Sequence, residues 1–136
     1  MDTTKMIRLI ENFFLQFIRK DKQDRLIGFL QKEKNWQKIN WEFHTSSNFK
    51  QEKLIEIIPN EHFSEEIYSH LIKLGAKKEC YSILDYLDND EYKCDLQKKV
   101  EETFGSLIHT IIYCPISGIG YFEGGHAKDR FILKRD

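Results

Sequence analysis

Met6, Leu9, Ile10, Phe13, Phe14 and Phe17 recur at intervals of three and four, the spacing of one helix face, while Lys5, Arg8, Glu11, Asn12 and Arg19 fall on the other side. The pattern predicts an amphipathic helix opened by Thr3 or Thr4, whose hydroxyls accept from the unpaired amides of a helix start. The polar run Lys20 to Asp24 reads as a short connection. Leu26, Phe29 and Leu30 then predict a brief second helix ending near Lys34, so residues 1–34 are expected to form a helical hairpin.

Residues 35–75 are mixed. Trp36 and Ile39 extend a helical turn, yet Trp41, Phe43 and Thr45 alternate as in a strand, and the pattern does not choose between them. Ser46-Ser47-Asn48 reads as a turn. Leu54 to Ile58 is a short buried run closed by Pro59, strand or helix end. Ser64 with Glu65 and Glu66 sets up a further helix, because a hydroxyl cap and early carboxylates answer the same orphan amides; Ile67, Leu71 and Leu74 mark its inner face and Gly75 its end.

Residues 76–136 predict sheet with one helix. Cys80 to Tyr86 reads as a strand, Asp85 to Glu91 as an acidic surface loop, and Leu96 to Phe104 as a helix stopped by Gly105. Leu107 to Cys114, Ile119 to Glu123 and Phe131 to Leu133 then form a three-stranded meander, turning at Pro115 to Gly118 and at Gly124-Gly125. The expected architecture is α+β: an N-terminal helical layer packed on a mainly antiparallel C-terminal sheet, with one β-α-β unit.

Composition narrows this little. With 136 residues, 13% aromatic and a net charge of -1, the chain buries enough apolar surface to order itself, and its length suits one domain around one core. No stretch approaches the roughly 18 apolar residues of a membrane helix. The start Met-Asp-Thr-Thr-Lys lacks the basic and apolar regions of a secretory signal, so a cytoplasmic location is expected. The three cysteines, Cys80, Cys94 and Cys114, are separated by 14 and 20 residues, a spacing of neither a disulfide framework nor a CxxC metal clip, and read as reduced thiols.

Charge changes the picture more. Residues 1–40 carry nine basic and five acidic side chains, a net of +4, whereas residues 41–104 carry eight and fourteen, a net of -6. The near-neutral total is thus a cancellation. A sequence pI of about 6.5 argues against a surface devoted to nucleic acid, whose domains usually exceed about 9. Trp36, Trp41, Phe43 and Phe49 interleave with Lys34, Lys38 and Lys50, the ingredients of a base-stacking platform, but no strand motif frames them and core packing is the simpler expectation.

Candidate chemistry is sparse. Ser117 to Gly125 is glycine-rich, but Glu123 stands where a dinucleotide fingerprint needs its third glycine, and no Gly-Lys-Ser/Thr follows. Strand alternation sets His109 and Cys114 on opposite faces, against a Cys-His nucleophile pair, although another strand could bring His126 to Cys114. Glu123, His126, Asp129 and Arg130 place acid, base and cation within eight residues, a group suited to proton transfer or to holding a phosphate, with His109 as an additional member. No HExxH, HxH or CxxC points to a metal, His62 and His70 stand eight apart, and the acids after Asp85 lack the glycine and final glutamate of a calcium loop. No cofactor is implied.

The acidic residues Asp85, Asp88, Asp90, Glu91, Glu101 and Glu102 remain. Residues 80–104 hold seven acids against three lysines, a negative face able to steer a basic partner into contact. In size, single domain, unpaired thiols and acidic patch the chain resembles small bacterial immunity proteins that neutralise a toxin, a likeness of general character that rests on no motif. The leading expectation is a non-enzymatic protein that binds another, basic protein through this face. The alternative is a small enzyme or ligand-binding protein with a polar site at the Glu123–Arg130 turn.

Overall fold

The computed structural model of the chain describes residues 3–57, 63–89, 93–126 and 128–136. Among the described residues there are six α-helices and six strands, three helices opening the chain and three strands closing it. The helices are α1 (Thr3–Phe17), α2 (Lys20–Leu30), α3 (Trp36–Glu42), α4 (Ser64–Lys73), α5 (Ile83–Asn89) and α6 (Leu96–Thr103); the strands are β1 (Leu54–Glu56), β2 (Glu79–Ser82), β3 (Lys93–Asp95), β4 (Thr110–Cys114), β5 (Ile119–Glu123) and β6 (Arg130–Lys134). The strands form one sheet in the order β1-β6-β5-β4-β2-β3, with every neighbouring pair antiparallel. The α+β class is as the pattern predicts. Its β-α-β unit is split: β3 and β4 both run against β2 and so run alike, joined by α6, with β2 between them.

The meander at the chain's end sets the sheet. All five residues of β4 and all five of β5 are buried, so alternation sends side chains into apolar surroundings on both sides. On one face Ile111, Tyr113, Phe122 and Leu133 pack under α1, α2, α3 and α5; on the other Ile112, Cys114, Ile119, Tyr121 and Ile132 pack under α4 and α6. The single expected core is therefore divided into two by the sheet. The larger half is aromatic: Phe13 stacks on Phe17 at 4.8 Å and meets Tyr113 edge-on at 5.0 Å, while Phe49 meets Phe122 at 4.9 Å. Tight strand approach explains Gly120, where a Cβ would stand 2.3 Å from the Ile112 carbonyl oxygen.

Several boundaries differ from the pattern. The polar run Lys20 to Asp24 is the first turn of α2 rather than a connection. The chain turns instead at Ile18-Arg19, where Ile18 bridges Phe49 and Arg19 N–H donates to Asn48 O at 2.9 Å. Trp36 to Glu42 is helical, so the alternation at Trp41, Phe43 and Thr45 makes no strand; Phe43 and Phe49 fill the core while Trp41 is exposed. β1 is an edge strand and its Leu54 and Ile55 are only half-buried; Ile58, Pro59 and His62 lie outside the described residues. Ser64 is the first residue of α4, and Phe63 takes the cap position without a side-chain cap.

The expected strand Cys80 to Tyr86 stops at Ser82, and Asp85 to Asn89 is helix, not loop. Ile83, Leu84, Tyr86 and Leu87 have helical spacing, and the Ser82 hydroxyl donates to Asp85 Oδ2 at 2.7 Å, a side-chain contact three residues on that favours a helix start over further strand. His109 lies just before β4 rather than in it. Gly120→Ala should lower stability by about 1–3 kcal/mol, since its methyl meets backbone of the neighbouring strand, whereas Gly28→Ala, with open space around it, should not destabilise; urea denaturation of the two variants tests the contrast.

Candidate functional site

Glu123 ends β5 and projects into the α4–α6 side of the sheet, where it is fully buried. Its Oε1 accepts from Gly105 N–H at 3.0 Å and from the Tyr121 hydroxyl at 2.9 Å; its Oε2 accepts from Leu107 N–H at 2.7 Å and from the Ser106 hydroxyl at 3.2 Å. Arg130, its cross-strand partner on β6, brings Nε to 3.2 Å of Oε1. That N–H is not aligned on the oxygen, so the contact is an ion pair rather than a hydrogen bond. The guanidinium lies 4.8 Å above the Phe104 ring. Burial and the adjacent carboxylate push the Tyr121 phenol well above its ordinary value, keeping it a donor.

With four hydrogen bonds and an ion pair, the Glu123 carboxylate has its acceptor sites filled. Its role is to hold a loop. Leu107 has φ 60°, a left-handed conformation rare for a leucine, and the Glu123 oxygen on its amide is what keeps it there. The outcome is that Leu107 and Ile108 turn outward, 44% and 68% exposed.

The other members of the predicted polar group do not converge on Glu123. His109 falls on the α1–α3 side of the sheet, its Nδ1 3.3 Å from Asn40 O and its ring 6.3 Å from Trp41 and 6.2 Å from His44. His126 is exposed on the hairpin. Asp129 accepts from the Ser46 hydroxyl at 3.0 Å, and Gly125 N–H donates to His44 O at 2.7 Å, so the hairpin is bound to the residues after α3. Gly124 permits this approach, because a Cβ there would stand 2.7 Å from that same carbonyl oxygen. Register also separates His126 from Cys114: Cys114 pairs with Ile119 and Thr110 with Glu123, which sets the hairpin at the far end of the sheet from Cys114.

Three large apolar side chains are exposed on the chain segments that lead to the hairpin end: Trp41, Leu107 and Ile108. Trp41, 72% exposed, stands beside His109, whose chain neighbour is Ile108. One helical turn before Trp41, Gln37 donates to Asp88 Oδ1 at 3.1 Å and fixes α5 against the same face of α3. Sequence reading counted Trp41 among core aromatics. Its separation from Trp36, Ile39 and Phe43 on the wheel of a seven-residue helix was the available signal.

The acidic residues are divided between the two helical layers. Asp85 and Asp88 belong to α5, on one side of the sheet; Glu101 and Glu102 are exposed on α6, on the other. Asp85 is ion-paired to Lys99, which also lies 4.0 Å from Glu102, and Asp95 caps α6 by accepting from Lys98 N–H at 3.0 Å. Asp90 and Glu91 lie outside the described residues.

The cysteines, distant in sequence, come together. Cys94 and Cys80 are direct cross-strand partners on β3 and β2, with Sγ atoms 2.8 Å apart, and the β2–β4 register continues the row to Cys114 on the same face. The hydrogen bond shared with the Cys80 thiol holds the Cys94 thiol below its ordinary value, aided by the Lys99 ammonium against the opposing effect of burial. The same bond and burial push Cys80 far up. Among the described residues, no group of three or more His, Cys, Asp and Glu is disposed to hold a metal ion.

Comparison of the chain with protein-family models, with curated proteins and with solved structures finds no significant match to any of them. The reading of this surface therefore rests on its geometry. Glu123→Gln should destabilise the fold by about 3–5 kcal/mol, because an amide turns a donor toward a cage of donors and leaves Arg130 without a counter-charge. Tyr121→Phe removes one of the donors and should cost about 1–2 kcal/mol. Denaturant midpoints at neutral pH measure both.

Proposed function

We propose that this chain works by binding another protein, and that its contact surface is the patch of Trp41, Leu107 and Ile108 with Asp88 at its rim. The observation that carries this reading is the strained Leu107. A buried carboxylate with five partners holds a leucine in a left-handed conformation, and what that arrangement achieves is the exposure of two aliphatic side chains, the second of them next in the chain to His109, whose ring lies 6.3 Å from the exposed Trp41. Tryptophan is enriched among the residues that dominate binding energy, and interface centres are apolar with polar rims.

The acidic residues refine the partner. Asp88 lies on the Trp41 side of the molecule and favours a basic partner surface, whereas Asp85 is matched by Lys99 within the chain. A basic partner and a Glu123 carboxylate with its acceptor sites already filled fit the toxin-neutralising, immunity type of activity better than proton-transfer chemistry. Glu123 has no acceptor site left for a substrate, and His109 lies across the sheet from it.

The test is capture from lysate of the organism that makes the protein, followed by affinity measurement on whichever protein is retained stoichiometrically. Trp41→Ala should weaken its Kd about 30-fold or more, the effect of a central anchor of ~2 kcal/mol. Asp88→Lys should chiefly slow association and flatten its salt dependence. Circular dichroism should be unchanged in both, as both side chains are exposed. Affinity within twofold of wild type for Trp41→Ala and Ile108→Ser alike would remove this surface from the interface.

A further inference from the structure

The thiol row on the α4–α6 side of the sheet has no part in the proposed binding surface, and its geometry is specific. Cys80 and Cys94 are separated by 14 residues in the chain yet oppose one another directly across β2 and β3, with sulfurs 2.8 Å apart. Directly opposed residues of an antiparallel pair have Cβ atoms about 4.5–5.5 Å apart, close to the roughly 3.5–4.5 Å that a disulfide spans, so small strand movements suffice to join them. The two thiols are unequal in access. Cys80 is fully buried on β2, while Cys94 is only half-buried on β3, the strand at the sheet's edge. Cys114, next to Cys80 on its other side, is buried with its sulfur turned to the Lys77 and Glu79 carbonyls, each at 3.8 Å.

We propose that Cys94 and Cys80 form a peroxide-reactive dithiol, with Cys94 as the attacking sulfur and Cys80 as the resolving one. The Cys94 thiolate attacks one oxygen of a hydroperoxide; the O–O bond breaks, the departing oxygen takes a proton and leaves as water or alcohol, and Cys94 becomes a sulfenic acid. The Cys80 sulfur then attacks the Cys94 sulfur, the S–O bond breaks, and the hydroxyl leaves as water with the proton of the Cys80 thiol. Two electrons from the sulfur pair reduce one peroxide, and an external dithiol returns the pair to its starting state. Lys99, on the helix that follows β3, supplies positive potential at Cys94, and once Cys94 is a thiolate the Cys80 thiol 2.8 Å away is placed to donate to it, both of which favour the form that reacts. A small peroxide reaches the edge strand; Cys80 then meets the sulfenic acid before a second peroxide does, because it is already in contact.

The purified full chain, treated with a few equivalents of hydrogen peroxide and then denatured, should lose two of its three titratable thiols, and its mass should fall by about 2 Da, the two hydrogens of one disulfide. Peptide mapping should link Cys80 to Cys94 and find Cys114 free, and dithiothreitol should restore all three thiols. Cys114→Ser should behave as wild type. In Cys80→Ser, checked for native circular dichroism, dimedone should label Cys94 and no intramolecular link should form. Unaltered thiols, a Cys80–Cys114 link, or Cys94 carried to the sulfinic acid in the wild-type chain while Cys80 stays free would each overturn the proposal, and the mapping on wild type stands even if a variant does not fold.

Discussion

Two adjacent strands with no exposed residue constrain everything else in this molecule. Because β4 and β5 bury both of their faces, apolar helices must cover the sheet on each side, and a chain of 136 residues supplies them by sending α1, α2, α3 and α5 to one face and α4 and α6 to the other. The connections follow from this demand. β2 leads directly into α5 on one layer, and β3 into α6 on the other, so the chain crosses the sheet edge between them and splits the β-α-β unit around β2. The stacked phenylalanines of α1 fill the space over one face of that sheet, and Gly120 lets β5 run close to the Ile112 carbonyl of β4.

Among the described residues, Glu123 at the end of β5 is the one charged residue that is buried in that apolar construction. Four donors and an arginine surround it, and three of the donors come from the loop between α6 and β4. Buried charge of this kind adds little net stability compared with a well-packed apolar side chain, but it strongly penalises any arrangement in which its partners are elsewhere. Its effect is to fix the Gly105–Leu107 path, including the left-handed Leu107, in the conformation that leaves Leu107 and Ile108 facing solvent. A residue type associated with proton transfer here determines surface shape.

The same sheet gives the thiols their relation. Its register, not their spacing along the chain, sets Cys94, Cys80 and Cys114 in a row, and its edge makes one of them more accessible than the other two. The acidic residues show the reverse. Close in sequence, they are separated by the fold into two layers, and Lys99 joins Asp85 and Glu102 across the gap.

The helix of residues 3–17, the helix ending before Gly75, the helix before Gly105 and the final meander were all legible in the chain, because each has a hydrophobic period long enough to exclude other structures. So was the α+β class, and His109 and Cys114 do fall on opposite sides of the sheet, although His109 stands just outside β4 and is held there by Asn40 and Trp41 rather than by strand pairing. The short elements were not legible. Ile83 to Asn89 and Trp36 to Glu42 span about two turns each, too few for periodicity to separate helix from strand, and their form is decided by the Ser82–Asp85 contact and by what the sheet leaves uncovered. Local sequence recorded Glu123, His126, His109 and Arg130 as neighbours and the cysteines as strangers. Pairing register kept Arg130 opposite Glu123 but set His109 and His126 apart from it and joined the cysteines, since contact across a sheet depends on which residues lie opposite one another, and that is a property of the assembled strands rather than of any segment.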